Sequence, residues 1–102
     1  MKQYHHYNLR KTFNESKDAL KDLKTLEQLM KDSEAIKISI NQFFDGTNYV
    51  EFIQEIEPLD MEVDNVIEIY SVNSDSTKLV KKIQDGLSSD YSLKTRIINY
   101  GK

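Results

Sequence analysis

Apolar residues recur at helical spacing from Phe13 to Met30, with Phe13, Leu20, Leu23, Leu26 and Met30 on one stripe and lysines and carboxylates around the rest. The spacing predicts a first helix over 13–31. Thr12 followed by Glu15 matches a capping box, whose two side chains satisfy the first free amides of a helix, with Asn14 and Ser16 as alternative caps. A second helix of about three turns is predicted to start near Ser76, after Asn73, Ser74 and Asp75. Its stripe is Leu79, Val80, Ile83 and Leu87, and Gly86 weakens its last turn.

Between the helices the period changes to two. "AIKISINQFF" alternates Ile36, Ile38, Ile40 and Phe44 with Lys37, Ser39 and Asn41, and "NYVEFIQEIE" alternates Val50, Phe52 and Ile56 with Glu51, Glu55 and Glu57. Asp45-Gly46 marks a hairpin between these strands. Because both inward sets are even-numbered, the loop is expected to have odd length, three or five residues around Asp45, Gly46 and Thr47. A third strand after Pro58 carries Leu59, Met61, Val63, Ile67 and Ile69 on its inward side and Asp60, Glu62, Asp64 and Glu68 on the other. The parity change fits an even loop, with the turn at Glu57 to Asp60 and Pro58 at its second position. At the C-terminus Tyr91, Leu93, Thr95 and Ile97 alternate as a further strand. "KQYHHYNLR" is a shorter candidate, and both are expected at sheet edges.

These elements define an α+β fold: a mostly antiparallel sheet of four to five strands, two helices packed on one face, and a two-layer sandwich forming a single domain over 1–102. The expected core is Ile38, Ile40, Phe52, Ile56, Ile67, Ile69, Leu23, Leu26 and Ile83.

Composition narrows the chemistry. Length bounds the chain to one domain. A hydrophobic share of 38% is enough to oppose the entropy of ordering. The absence of cysteine excludes disulfides, thiolate metal sites and a cysteine nucleophile. No signal-like or membrane-length apolar run occurs, so a cytoplasmic protein is expected. Twelve lysines, ten isoleucines and seven asparagines against two arginines match the bias of an AT-rich coding sequence, as in a low-GC bacterium, its phages or its mobile elements.

Charge is distributed unevenly. Residues 1–37 carry eight bases and six acids, 38–77 carry nine acids and no base, and 78–102 carry six bases and two acids. The strand parities send Glu51, Glu55, Glu57, Asp60, Glu62, Asp64 and Glu68 to the side away from the helices, with Phe43, Ile53, Val66 and Tyr70 among them. The turn at 57–60 sets Glu55 opposite Glu62, and a shorter turn sets it opposite Asp60. Facing like charges cost about a few tenths of a kcal/mol per pair, so the acids point to a surface shaped for binding. Solubility is the competing reading of the same acids, and neutralisation by Lys81, Lys82, Lys94 or Arg96 is another.

No GxGxxG, Walker, HExxH or GxSxG motif is present, and no enzyme activity, cofactor or metal is expected. His5 and His6 are adjacent in a strand and point to opposite faces, which prevents them from sharing an ion. Asp60, Glu62 and Asp64 could hold calcium, though without the glycine and terminal glutamate of an EF-hand loop. Asp18 and Asp22 interrupt the bases Arg10, Lys11, Lys17, Lys21 and Lys24, and the pI near 5.3 opposes direct nucleic-acid binding. The expected function is therefore a non-enzymatic interaction protein whose acidic sheet face binds a basic protein partner. A nucleic-acid-binding protein would suit, which makes the chain an inhibitor, a DNA mimic or an antitoxin or immunity protein. The alternatives are a homodimer or assembly subunit using the same face, where symmetry would stack like charges, and a calcium-binding module.

Overall fold

The computed structural model describes residues 2–57, 59, 61–72, 77–87 and 91–100. In chain order the elements are β1 (Lys2–Phe13), α1 (Ser16–Asp32), β2 (Ile36–Ser39), β3 (Gln42–Phe44), β4 (Asn48–Glu57), β5 (Glu62–Val72), α2 (Thr77–Gly86) and β6 (Ser92–Tyr100). The strands form one antiparallel sheet in the order β2-β3-β4-β5-β1-β6. The α+β class holds, with six strands instead of four to five.

β1–α1–β4 and β5–α2–β6 interleave as a split βαβ arrangement of the ferredoxin-like kind, and the β2–β3 hairpin extends the sheet beyond β4. The N-terminal strand is thus a long one between β5 and β6, not a short edge. Its odd positions Tyr7, Leu9 and Phe13 enter the core, while His6, Asn8, Arg10 and Thr12 line the opposite face beside even positions of β5.

Both helices pack on one face, where Ala19, Leu26, Met30, Val80, Ile83 and Leu87 join Leu9, Phe52, Ile67 and Ile69 in one cluster. Phe52, Ile67, Ile69, Leu26 and Ile83 are core residues as expected, and Leu23 packs against them partly buried. α1 starts later than its periodicity suggests: Phe13 ends β1 and Leu20 is exposed. The N-cap is Glu15 without a side-chain cap bond, because Thr12 lies in β1 and its hydroxyl donates to Asp64 Oδ1 at 2.6 Å. The capping box does not form. α1 ends in a Schellman-type turn, with Ala35 N bonded to Met30 O and Glu34 at φ 61°, a conformation usually left to glycine. Gly86 serves close packing, since a Cβ there would lie 2.7 Å from Leu29 Cδ1. Asn73 to Ser76 lie outside the described residues.

Two loops change the expected register. "AIKISINQFF" is not one strand: the chain reverses at Ile40–Asn41 between β2 and β3. Asn41 pins this turn to β4, its carbonyl accepting from Phe52 N–H and its Nδ2 donating to the Phe52 carbonyl. Ile36, Ile38 and Ile40 consequently stand 56% to 78% exposed instead of entering the core. Phe43 then pairs with Val50 on the helix side and Phe44 with Tyr49 on the other, which leaves an even number of residues, 45–48, between the last paired positions. Asp45 organises that loop by accepting from the amides of Thr47 and Asn48 and from Asn48 Nδ2. Between β4 and β5, Met61 takes φ 58° and its N–H bonds to Glu57 O, so the first pair is Glu57 with Glu62, while Pro58 and Asp60 of the expected turn lie outside the described residues. Ile56 keeps its inward parity but is exposed where the hairpin runs past the start of α1.

A buried polar chain crosses the core. Tyr91 donates its hydroxyl to Asp22 Oδ2 at 2.8 Å, Asn65 Nδ2 donates to Tyr91 Oη at 3.1 Å and to Ala19 O at 3.0 Å, and Gln54 Nε2 donates to Asn65 Oδ1 at 3.1 Å. Burial raises the Tyr91 pKa well above the phenol range. The chain thereby ties α1 to β4, β5 and the start of β6.

Candidate docking face on the open sheet

The face away from the helices is a grid set by the strand pairings. One row reads Ile36, Phe44, Tyr49, Tyr70, His6 and Arg96, and the next Gln42, Glu51, Glu68, Asn8 and Lys94. Ile53, Val66 and Arg10 follow, then Glu55, Asp64 and Thr12, and last Glu57 and Glu62. Six carboxylates therefore meet as three directly facing pairs: Glu51 with Glu68, Glu55 with Asp64, and Glu57 with Glu62.

Each pair has its own electrostatic solution. Glu51 accepts from Gln42 Nε2 at 2.8 Å and from the Tyr49 hydroxyl at 3.2 Å. Glu68 accepts from the Tyr70 hydroxyl at 2.7 Å and from Asn8 Nδ2 at 3.0 Å. The Tyr70 hydrogen bond is the main cause that holds the Glu68 carboxyl below its usual pKa, against partial burial that acts the other way. Burial first, and then the Glu68 carboxylate, push Tyr70 up to about 12, so it stays a donor at neutral pH. His6 stacks on Tyr70 at 4.6 Å between centroids, and its Nδ1 accepts from Arg96 Nε at 3.1 Å. In a neutral ring the remaining hydrogen then sits on Nε2, 3.5 Å from Glu68 Oε2 and buried without a hydrogen-bond partner among the described residues.

In the second pair Arg10 bridges the two acids, with Nη2 3.4 Å from Glu55 and Nη1 3.2 Å from Asp64. The third pair has neither a base nor a side-chain donor among the described residues. The Leu59 amide donates to Glu57 at 3.5 Å. Among the described residues, charge without a partnering base thus collects at Glu57 and Glu62, beside the β4–β5 turn.

Of the residues expected at this site, Glu51, Glu55, Glu57, Glu62, Asp64, Glu68, Ile53 and Tyr70 share the open face, and Asp60 lies outside the described residues. Phe43 does not: it is 3% exposed on the helix side, and Phe44 occupies the open face in its place. The facing partners shift by two residues, so Glu55 meets Asp64 and Glu62 meets Glu57. The neutralising base is Arg10, which no local pattern reveals because its position depends on β1 pairing with β5. Among the expected neutralisers, Lys82 donates to Ser33 Oγ, Lys81 lines a groove beside α2, and Lys94 and Arg96 lie on the same face but on β6. The open face is therefore acidic over β4 and β5 and basic along β6.

Removing the bridge tests this arrangement. Arg10→Met should cost about 0.5 to 1 kcal/mol, a small value because Arg10 and Glu55 are half-exposed and screened by water. Glu55→Gln should be more favourable in that background than in the parent. A cycle of the four proteins by urea denaturation measures the coupling, and strict additivity would show that the bridge contributes nothing.

Among the described residues no group of three or more histidines, aspartates or glutamates gathers as metal ligands, and no helix is long and apolar enough to cross a membrane. His5 faces the α2 groove while His6 lies on the open face.

No family model and no curated protein matches this sequence. Among solved structures, the chain is similar to the de novo designed protein Foldit4, with a TM-score of 0.59 and 12% identity over 99% of this chain and 100% of that one. It is also similar to the de novo designed protein Ferredog-Diesel, with a TM-score of 0.51 and 18% identity over 91% of this chain and 83% of that one. At these identities the likeness shows the fold alone.

Proposed function

We propose that the chain is a non-enzymatic interaction protein whose open sheet face docks a basic surface of a protein partner, of the kind that binds nucleic acid. The supporting observation is the set of three facing carboxylate pairs, the last of them without a base among the described residues, on the face opposite both helices. Beside the acids stand Ile36, Phe44, Tyr49, Ile53 and Tyr70, which supply the apolar and aromatic anchors that carry binding energy in protein interfaces. The carboxylates supply steering toward a surface built to attract phosphates. The chain then acts by occupying that surface, as an inhibitor, DNA mimic or immunity protein does.

A second reading draws on Lys94 and Arg96. A two-fold axis along the strands would set the acidic half of one copy against the basic half of another, so self-association through this face is not uniformly repulsive.

Affinity capture from the source cells tests the proposal, with the parent and Glu57→Gln/Glu62→Gln as parallel baits. A basic protein retained by the parent and depleted on the variant supports it, provided the variant is as stable as the parent. Identical retention by both baits contradicts it. Light scattering at low and high salt reports the homodimer directly.

A further inference from the structure

The two edges of the sheet are built differently. β2 has four residues and a register irregularity between Lys37 and Ser39, the short and bulged form that protects an edge from pairing. β6 runs nine residues in unbroken register with β1, from Ser92 opposite Arg10 to Tyr100 opposite Lys2. Among the described residues nothing pairs with its outer side.

Among the described residues, both faces of β6 are open next to that edge. Toward the helices, Leu93 and Ile97 are 42% and 54% exposed. α2 leaves a groove of about 660 Å3 beside the strand, lined by His5, Tyr7, Val80, Lys81, Leu93 and Thr95 among others. Toward the open face, Lys94 and Arg96 stand one pleat repeat apart, about 7 Å, and neither has a carboxylate partner among the described residues. The bond from Arg96 Nε to His6 steadies the guanidinium, and its terminal amino groups have no partner among the described residues.

We infer that the outer edge of β6 is a docking site for an extended acidic and apolar segment of another protein, which adds to the sheet as a seventh strand. This site is separate from the acidic face and does not depend on its role. Main-chain hydrogen bonds hold the added strand, and alternate side chains decide which segment fits. Opposite Leu93, Lys94, Thr95, Arg96 and Ile97 the matching order is apolar, acidic, small, acidic, apolar. It reads the same in both directions, so it fits either strand orientation. Opposite charges directly across from one another stabilise a strand pair and like charges destabilise it. A second copy of β6 fails this criterion: the antiparallel register that sets Leu93 against Ile97 of the other copy also sets Lys94 against Arg96. An acidic segment meets no such conflict.

The test uses the full chain and a fluorescent synthetic peptide with valine, glutamate, serine, glutamate and valine at its centre, followed by anisotropy. Saturable binding is expected, and Lys94→Glu/Arg96→Glu should weaken it about tenfold or more. Two further peptides carry N-methyl groups on alternate amides, one in each phase, with all side chains kept. One phase removes the hydrogen bonds toward β6 and should abolish binding, while the other should bind like the parent peptide. Absence of saturable binding at millimolar peptide overturns the inference. Equal binding of both methylated peptides overturns it too, as does a chain that dimerises alone through β6 and loses the dimer on charge reversal.

Discussion

Truncation of Phe52 to alanine is expected to lower the stability of the fold by about 3 to 5 kcal/mol, the range for deleting a large buried side chain together with the cavity that remains. Phe52 is 2% exposed and sits in β4 directly opposite Ile67, inside the cluster that both helices cover. Its main chain also bonds twice to Asn41, donating its N–H to the Asn41 carbonyl and accepting from Asn41 Nδ2, so the ring fills the core at the point where the β2–β3 hairpin is pinned. Urea denaturation measures the loss, and an unchanged midpoint would remove Phe52 from the core. Ile56→Ala is the control. It alters an inward-parity residue of the same strand that is 68% exposed, and its cost should stay within about 0.5 kcal/mol.

Tyr91→Phe is expected to cost about 1 to 3 kcal/mol, the penalty for removing one partner of buried polar groups. The substitution keeps the ring and its tilted contact with Phe13 at 6.2 Å between centroids. It removes the hydroxyl that donates to Asp22 and accepts from Asn65, both of them fully buried. The loss therefore reports the polar chain that joins α1 to the sheet, separately from apolar packing. A denaturation midpoint equal to that of the parent would show that the chain adds nothing to stability.

Local patterns and nonlocal pairings differ in what can be read from residues. The inward positions Phe52, Ile67, Ile69 and Ile83, and the outward direction of the acids on β4 and β5, follow from alternation or helical spacing within one element, and they were legible in the sequence. Register was not. A two-residue turn at Ile40–Asn41 carries no glycine, and Met61 takes a left-handed conformation that its residue type does not announce, so each loop displaced what followed. Phe43 and Phe44 exchanged faces for the first reason, and Glu55 and Glu62 exchanged partners for the second. Arg10 was hidden more deeply, because its role depends on β1 lying beside β5, a pairing some fifty residues apart in sequence. Asp22 reads as part of the solvated face of a helix. It is instead fully buried and accepts a hydrogen bond from Tyr91, near the far end of the chain.

Docking of a basic protein on the open face through its carboxylates, as proposed, makes the association rate with the captured partner depend on salt. Fields of exposed charges extend about 30 Å at 0.01 M ionic strength and about 3 Å at 1 M. For the parent the association rate should fall steeply as salt rises. Glu57→Gln/Glu62→Gln removes the uncompensated pair, so it should associate more slowly at low salt, converge on the parent at high salt, and fold with equal or slightly greater stability. Equal association rates for parent and variant at low salt would contradict the claim and leave these carboxylates as a solvated surface.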